Sequence, residues 1–523
     1  MLDNRFIEII KDELGIEELP ENDYKQISEM ASWYAGKVDS FHTYRLYNGE
    51  NTLELEKKSL QMPKKVCEDW SDCLANEKLE ITLKNKNDTE ILNQIFKSNK
   101  FRSTLSNGVE KSFALGYGAL LPQLVNLKVG ENSGFVTSDK DTKIKINFID
   151  ATKIVPISFE DGKLVECAFV SSNTRITTIV ICAINNDNGN YDIINMKFSN
   201  KDLANPIEKY TFPTESNMPP FMIIKPNINI NTFSKDLVGI SIYANSIDTF
   251  KTIDDIFDSF DTEFVLSRKK LFLAADMYDV EVNSDGSGVK YNKHFDPYSD
   301  VFYKISNKVG EGENVKSFND EIRTQALVDG LNTALNILSK QVGFGTQRYK
   351  FEPSTMQTAT GVKSANQDLA LSMQKHSNLL AEELISLIMY VKFLTNKYNL
   401  VYGKFSDFVE TDIIINFDDS VIEDNGTKME RDKADVQANL MSPIEYRMKW
   451  YGEDEETATK NYNEYFKYDL INKYLPALNS GAMTPEAFAK KIYGDNVDQK
   501  VIDYITEKAN KNSTSFNDFI TEE

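Results

Sequence analysis

A chain of 523 residues with 80 acidic against 59 basic side chains, net −21, is the wrong polarity for gripping nucleic acid through phosphates. Its 41% apolar and 11% aromatic content is ample for real cores, which excludes global disorder and suggests roughly two to four domains. No run of about eighteen uncharged apolar residues occurs, so no membrane span is expected.

The opening Met1-Leu2-Asp3-Asn4-Arg5 lacks the parts of a signal peptide, which points to the cytoplasm of the cell that makes the protein. The four cysteines suit that compartment. Cys67 and Cys73 fall on a helix, Cys167 and Cys182 in strand-like text, and none has zinc or redox spacing, so reduced thiols are expected.

Residues 1–46 read as amphipathic helix, interrupted at Pro20 and ending in the aromatic group Trp33, Tyr34, Phe41, His42 and Tyr44; Tyr47-Asn48-Gly49 reads as a turn. Met62, Val66, Trp70 and Cys73 share the core-facing stripe of the next helix, and Ile81-Thr82-Leu83 alternates like a strand. A single helix is expected over about 88–106. The following Phe113–Leu120 run has glycines but no Gly-Lys-Ser/Thr, so close backbone packing is expected rather than a phosphate loop.

From about 144 to 224 the text turns to short alternating strands, including 144–148, 164–170 and 177–182. They predict an antiparallel β unit with one polar and one apolar face, closed by Pro219-Pro220 and Pro226. Residues 239–270 read as a helix with Ile247, Phe250, Ile253, Phe257, Phe260 and Phe264 on one stripe. Its other face is acidic, with Asp248, Asp254, Asp255, Asp258, Asp261 and Glu263.

Residues 271–318 predict a small module of strands and turns at the far end of a helical hairpin, whose returning helix carries Leu327, Leu331, Leu335, Leu338 and Val342. Gly343-Phe344-Gly345 breaks that helix, and a polar segment runs to Gln357. A very long helix follows, striped by Val362, Ala365, Leu369, Met373, His376, Leu380, Leu384, Leu387, Val391 and Leu394 and spanning roughly 50 Å. A strand is expected at 412–417. Helices then run from about Lys428, broken at Gly452 and Gly481 and restarted at Ser442-Pro443-Ile444-Glu445 and Thr484-Pro485-Glu486. The fold class is α+β.

The three histidines, His42, His294 and His376, have no partner at metal-ligand spacing, and His376 reads as a hydrogen-bonded packing residue. Motifs for nucleophilic catalysis, zinc hydrolysis and nucleotide binding are absent. No enzyme, cofactor or metal is expected.

The order of parts, together with several short stretches, resembles the portal proteins of tailed bacteriophages, in the branch typified by phages of Gram-positive bacteria. Tyr47-Asn48-Gly49, Met62-Pro63-Lys64-Lys65-Val66-Cys67-Glu68-Asp69-Trp70 and Asn76-Glu77-Lys78 carry the N-terminal likeness. Gln341-Val342-Gly343-Phe344, Thr358-Ala359-Thr360-Gly361-Val362-Lys363-Ser364 and Gln374-Lys375-His376 carry the central one, and Glu445–Gly452 a third. One departure is Gly361, where the family usually has a glutamate that would complete a capping box with Thr358; a looser helix start is expected.

The resemblance implies a ring, typically of twelve subunits, at one capsid vertex, assembled in the host bacterial cytoplasm. In that frame 1–240 is the wing, 241–270 and 319–342 the stem, 271–318 the clip and 343–360 the tunnel loop. Residues 361–427 complete the wing with the long helix, and 428–523 form a helical crown and tail. Implied partners are copies of the same chain, the packaging ATPase (large terminase), a head-completion or adaptor protein, and the major capsid and scaffold proteins. Double-stranded DNA passes through without being tightly bound. Expected DNA contacts are Gln347, Arg348 and Lys350 of the tunnel loop; Asp254, Asp255, Asp258 and Asp261 form an acidic channel face; Asp285, Lys290 and Lys293 dock a partner at the clip. The alternative is a structural ring or adaptor of a defective phage-like particle that conducts no genome.

Overall fold

A computed structural model describes residues 4–20, 24–47, 51–126, 128–129, 136–137, 141–231, 237–267, 270–274, 303–305, 315–318, 322–346, 348–350, 359–417, 425–494 and 497–510. The chain divides into two compact units, Met1–Ile422 and Glu423–Glu523.

The first unit begins with helices α1 (Asn4–Leu14), α2 (Tyr24–Tyr34) and the single turn α3 (Asp39–His42). Where helix was expected to continue to 46, strand β1 (Thr43–Tyr47) instead pairs antiparallel with β2 (Thr52–Glu56), Thr43 opposite Glu56 and Tyr47 opposite Thr52. The alternating, aromatic Thr-Tyr-Arg-Leu-Tyr text favours a strand once a partner is at hand. Helix α4 (Met62–Leu74) follows as expected, then β3 (Glu80–Leu83).

The single helix expected at 88–106 is two, α5 (Lys86–Ser98) and α6 (Phe101–Leu115). Lys100 adopts φ 50, and the Asn99 amide donates to Ile144 O at 3.0 Å and accepts from Ile146 N at 2.9 Å. A side chain spent on a distant strand thus marks the break.

Strands β4 (Gly118–Val125), β5 (Lys128–Val129), β6 (Val136–Thr137), β7 (Lys143–Asp150), β8 (Ile154–Glu160), β9 (Lys163–Ser172), β10 (Ile176–Ile184), β11 (Tyr191–Ser199), β12 (Asp202–Pro213) and β13 (Met222–Ile224) complete the β unit. β8 to β12 form an antiparallel meander, and β13, β4 and β7 a second sheet. The meander departs from the expected polar and apolar faces. Cys167, Phe169, Val180 and Cys182 face the main core, while Ala168, Val170, Ile179 and Ile181 pack under Ile10 of α1. Both faces of its inner strands are therefore covered, with the two-residue period deciding which side chain goes where.

Gly118 and Gly108 admit the Phe148 ring between α6 and β4: a Cβ would lie 2.5 Å from that ring at Gly118 and 2.9 Å at Gly108. The glycine run packs backbone closely, as expected.

Helix α7 (Ile247–Leu266) starts later than the sequence suggests, after an irregular stretch and one 3-10 turn. Helix α8 (Thr324–Gln341) returns antiparallel to it: Thr249 meets Gln341 at one end, and Glu263 bonds Arg323 at the other. Between them lie β14 (Lys270–Ala274), β15 (Tyr303–Ile305) and β16 (Val315–Phe318), ordered β15-β14-β16. This is the hairpin with a small terminal module of strands read from the sequence.

Helix α9 (Ala359–Lys397) runs 39 residues. Leu369, Met373, Leu380, Leu384, Leu387, Val391 and Leu394 are all buried in the main core. Strand β17 (Ile413–Asn416) pairs with β3 and closes the unit.

The second unit is helical: α10 (Asn425–Gln437), α11 (Pro443–Tyr451), α12 (Glu455–Asn479), α13 (Pro485–Tyr493) and α14 (Gln499–Asn510). Ser442 and Glu445 form a reciprocal cap, Thr484 caps Ala487 N at 3.2 Å, and both helices have proline in the first turn. Ile471, Leu478, Phe488, Ala489, Ile492 and Ile505 make its core. The four cysteines are buried and form no disulfide, and burial pushes the Cys67, Cys167 and Cys182 thiols up, leaving those three inert.

Candidate functional site

Two features of the first unit place the residues singled out from the sequence: the acidic face of α7 and the root of the loop between α8 and α9. The apolar half of α7 docks through Phe250 onto Trp33 of the N-terminal aromatic group, at 6.2 Å between ring centres, and onto Tyr243, just ahead of α7, at 5.5 Å. The acidic half meets the segment joining β2 to α4. Asp254 is buried and takes hydrogen bonds from Leu60 N (2.8 Å) and Ser59 Oγ (2.9 Å), with His42 Nε2 at 3.1 Å. Lys57 Nζ reaches Asp255 at 2.7 Å, Lys58 N donates to Asp258 at 3.0 Å, and Lys58 Nζ lies 2.7 Å from Asp261.

This corrects one member of the expected acidic channel face. Asp254, 2% exposed, faces the interior, so it cannot line a bore. Asp255, Asp258 and Asp261 are held by a strap that brings two lysines with it. The remaining acids of α7 are paired too, Asp248 with Lys251 and Glu263 with Arg323. A buried carboxylate needs donors on every side, and residues 57–60 and His42 supply them.

At the loop root, α4 meets the end of α8 and the middle of α9. Trp70 Nε1 donates to Val342 O at 3.0 Å, its ring stacks on Phe344 at 4.6 Å, and His376 approaches its edge at 4.7 Å. Gly343, at φ +88, lies flat against Trp70 and Ser372, where any Cβ would press on both. Asp69, next to Trp70 and buried, pairs with Lys65 at 2.9 Å and lies 3.7 Å from Arg348. The Arg348 guanidinium lies 5.5 Å from the Phe344 ring centre. Tyr349 is partly buried beside Asp69, and desolvation with that neighbouring charge pushes its hydroxyl pKa up. Stretches 62–70, 341–344 and 374–376, far apart in the chain, thus meet around one indole.

His376 is the packing residue expected: buried, with Nδ1 accepting Asn227 N at 2.9 Å. Arg348, expected to reach toward DNA, has its guanidinium turned to Asp69 and Phe344. Lys350 is exposed. Gln347, the clip residues Asp285, Lys290 and Lys293, and the capping residue Thr358 lie outside the described residues. The strap was missed by sequence reading, although Lys57-Lys58 opposite a helix carrying six acids was the available signal. Among the described residues no group of three or more His, Cys, Asp or Glu is placed to hold a metal, and no helix is long and apolar enough to cross a membrane.

What the fold and these contacts define is an α+β chain: a helical hairpin tipped with a small sheet, joined by an anchored loop to a long buried helix. The family model for phage portal proteins of the SPP1 Gp6-like type matches residues 16–464, and the chain belongs to that family. No curated protein matches it. Among solved structures, a chain from the neck of the native GTA particle, computed with C12 symmetry, is 10% identical at TM-score 0.36 and covers 84% of this chain and 97% of its own. One from the virion of the native gene transfer agent (GTA) particle is 10% identical at TM-score 0.38, covering 84% and 97%. A third, from the neck of the empty GTA particle computed with C6 symmetry, is 11% identical at TM-score 0.39, covering 83% and 95%.

Proposed function

We propose that this chain assembles into a ring at the unique vertex of a virion capsid and conducts double-stranded DNA during packaging and ejection. In this reading it also docks the packaging ATPase and a head-completion protein, and it performs no catalysis itself. The portal-family match over 16–464 carries the reading. The α7–α8 hairpin with its terminal sheet suits a stem and clip, and the anchored loop after Val342 suits a tunnel loop. The net charge of −21 supports passage of DNA without a tight grip. On the acidic helix face Asp254 is taken inside, and Lys57 and Lys58 partly offset the charge of Asp255 and Asp261, which stay 53% and 46% exposed. Within the loop Arg348 sets the root, and Lys350 together with Gln347 is assigned the contact with passing DNA.

Light scattering with negative-stain imaging tests the assembly. Twelve chains of 59.6 kDa make a ring of about 0.7 MDa with a central hole. A mass that stays at 59.6 kDa, both alone and with coat and scaffold protein present, overturns the reading. Lys350→Ala then separates roles: packaging or DNA retention should change while ring mass does not.

A further inference from the structure

The last turns of α9 frame an open cavity of about 480 Å³ away from the hairpin and the loop root. Met218, Met389 and Phe393 supply its apolar lining, Lys392, Lys397 and Lys404 its charged lining, and no acid lines it. Asn396, the remaining lining residue, is spent on the Phe405 backbone at 2.8 and 3.1 Å. Three lysines line one recess in a chain of net −21.

Two of these lysines are fixed in place. Lys392 Nζ donates to Phe408 O at 2.6 Å and lies 4.5 Å from the Phe408 ring centre. Lys397 Nζ donates to Thr214 O at 2.7 Å. Each also touches a carboxylate, Asp407 at 3.2 Å and Glu215 at 3.0 Å; the acids are 105% and 73% exposed, the lysine side chains 13% and 24%. An ion pair whose acid stands in water is weak, so a carboxylate that reaches either lysine at the edge of the recess can replace that acid, and Lys404 offers the most open of the three charges. Lys404 is exposed and makes no ion pair among the described residues.

We propose that this recess is a docking site for an acidic segment of a partner protein, with carboxylates on the lysines and an apolar side chain against Met218, Met389 and Phe393. Methionine adapts to aliphatic and aromatic side chains alike. Lysine without arginine offers point charges rather than the bidentate forks favoured for phosphate. A long polyanion would feel the whole negative chain, whereas a short segment feels only charges within about 10 Å. The inference requires neither a ring nor DNA, so it stands or falls separately from the portal reading.

The test is fluorescence anisotropy on the full chain with the labelled peptide EDFDELFE and its neutral counterpart QNFNQLFQ. The acidic peptide should bind at least about tenfold tighter, lose affinity as salt rises, and weaken about fivefold or more with Lys404→Glu. Lys404→Gln, which adds no charge, should give a smaller loss in the same direction, and circular dichroism checks that both variants fold. Equal binding of the two peptides, no binding below about 1 mM, or indifference to both Lys404 variants overturns the proposal. A labelled oligothymidine that binds more tightly than the acidic peptide, with the same Lys404 dependence, overturns it in favour of nucleic acid.

Discussion

Glu383→Gln should change how stability responds to pH, because Glu383, partly buried, and His376, buried, hold α9 alongside β13 and the segment that follows it. Ile223 N donates to Glu383 Oε2 at 3.1 Å, and Asn227 N to His376 Nδ1 at 2.9 Å. Four residues of extended chain span about 13 Å and the matching seven of helix about 10 Å, so the two anchors stay nearly in step. Burial, aided by the Lys375 charge, lowers the His376 pKa from 6.5 to about 4. Burial raises that of Glu383 from 4.5 to about 7, against the Ile223 hydrogen bond and the charges of Lys225 and Lys163.

The two effects have opposite signs. Below pH 6.5 the unfolded chain protonates its histidine before the folded one does, so the His376 contribution lowers stability down to about pH 4. Above pH 4.5 the unfolded chain ionises its glutamate first, so the Glu383 contribution lowers stability up to about pH 7. Each is worth about 3 kcal/mol at roughly 1.4 kcal/mol per pKa unit, and they nearly cancel between about pH 4.5 and 6.5. Glutamine keeps an acceptor for Ile223 N and removes the titration. Urea unfolding between about pH 4.5 and 7.5 should show the variant more stable than the wild type by about 2–3 kcal/mol at the upper end. That gain should disappear toward the lower end. A difference constant within about 0.5 kcal/mol across the range refutes the reasoning.

Other substitutions probe the strap, the loop root and the glycine packing. Asp254→Ala, which leaves His42, Ser59 and Leu60 N without their acceptor, should cost about 3–5 kcal/mol in denaturant unfolding. Lys58→Gln, at a half-exposed pair, should cost under about 1 kcal/mol, and similar losses for the two would contradict the burial argument. Phe344→Ala removes the ring stacked on Trp70; it should cost about 3–4 kcal/mol and speed limited proteolysis after Val342. Unchanged cleavage would show that the loop is not anchored there. Gly118→Ala should destabilise by about 1–3 kcal/mol by pressing on the Phe148 ring, and Phe148→Leu in the same chain should recover part of that on thermal melting.

Much of this architecture was legible because it rests on local chemistry. The α9 stripe from Leu369 to Leu394, the caps at Ser442 and Thr484, and the strands around 144–182 appear where periodicity and cap residues put them. These signals are local: a 3.6-residue stripe or a hydroxyl before proline favours one backbone conformation wherever the chain goes next. The portal-family likeness was legible too, since its short stretches keep their order.

Contacts between distant residues were not legible. Asn99 ends a helix because its amide serves Ile144 and Ile146, and no rule of helix propensity contains that strand. An acidic helix face reads the same whether water or a lysine strap about 200 residues away covers it, so Asp254 became a buried acceptor only when the chain folded around it. Arg348 likewise counts as a free basic residue until Asp69 and Phe344 claim its guanidinium. Sequence alone determined most of the long helices, their apolar stripes and the alternating strands, because those follow from side-chain period and backbone sterics. Tertiary structure alone decided which charges are spent, because the pairing energy of a carboxylate depends on burial and on partners that neighbouring residues do not reveal.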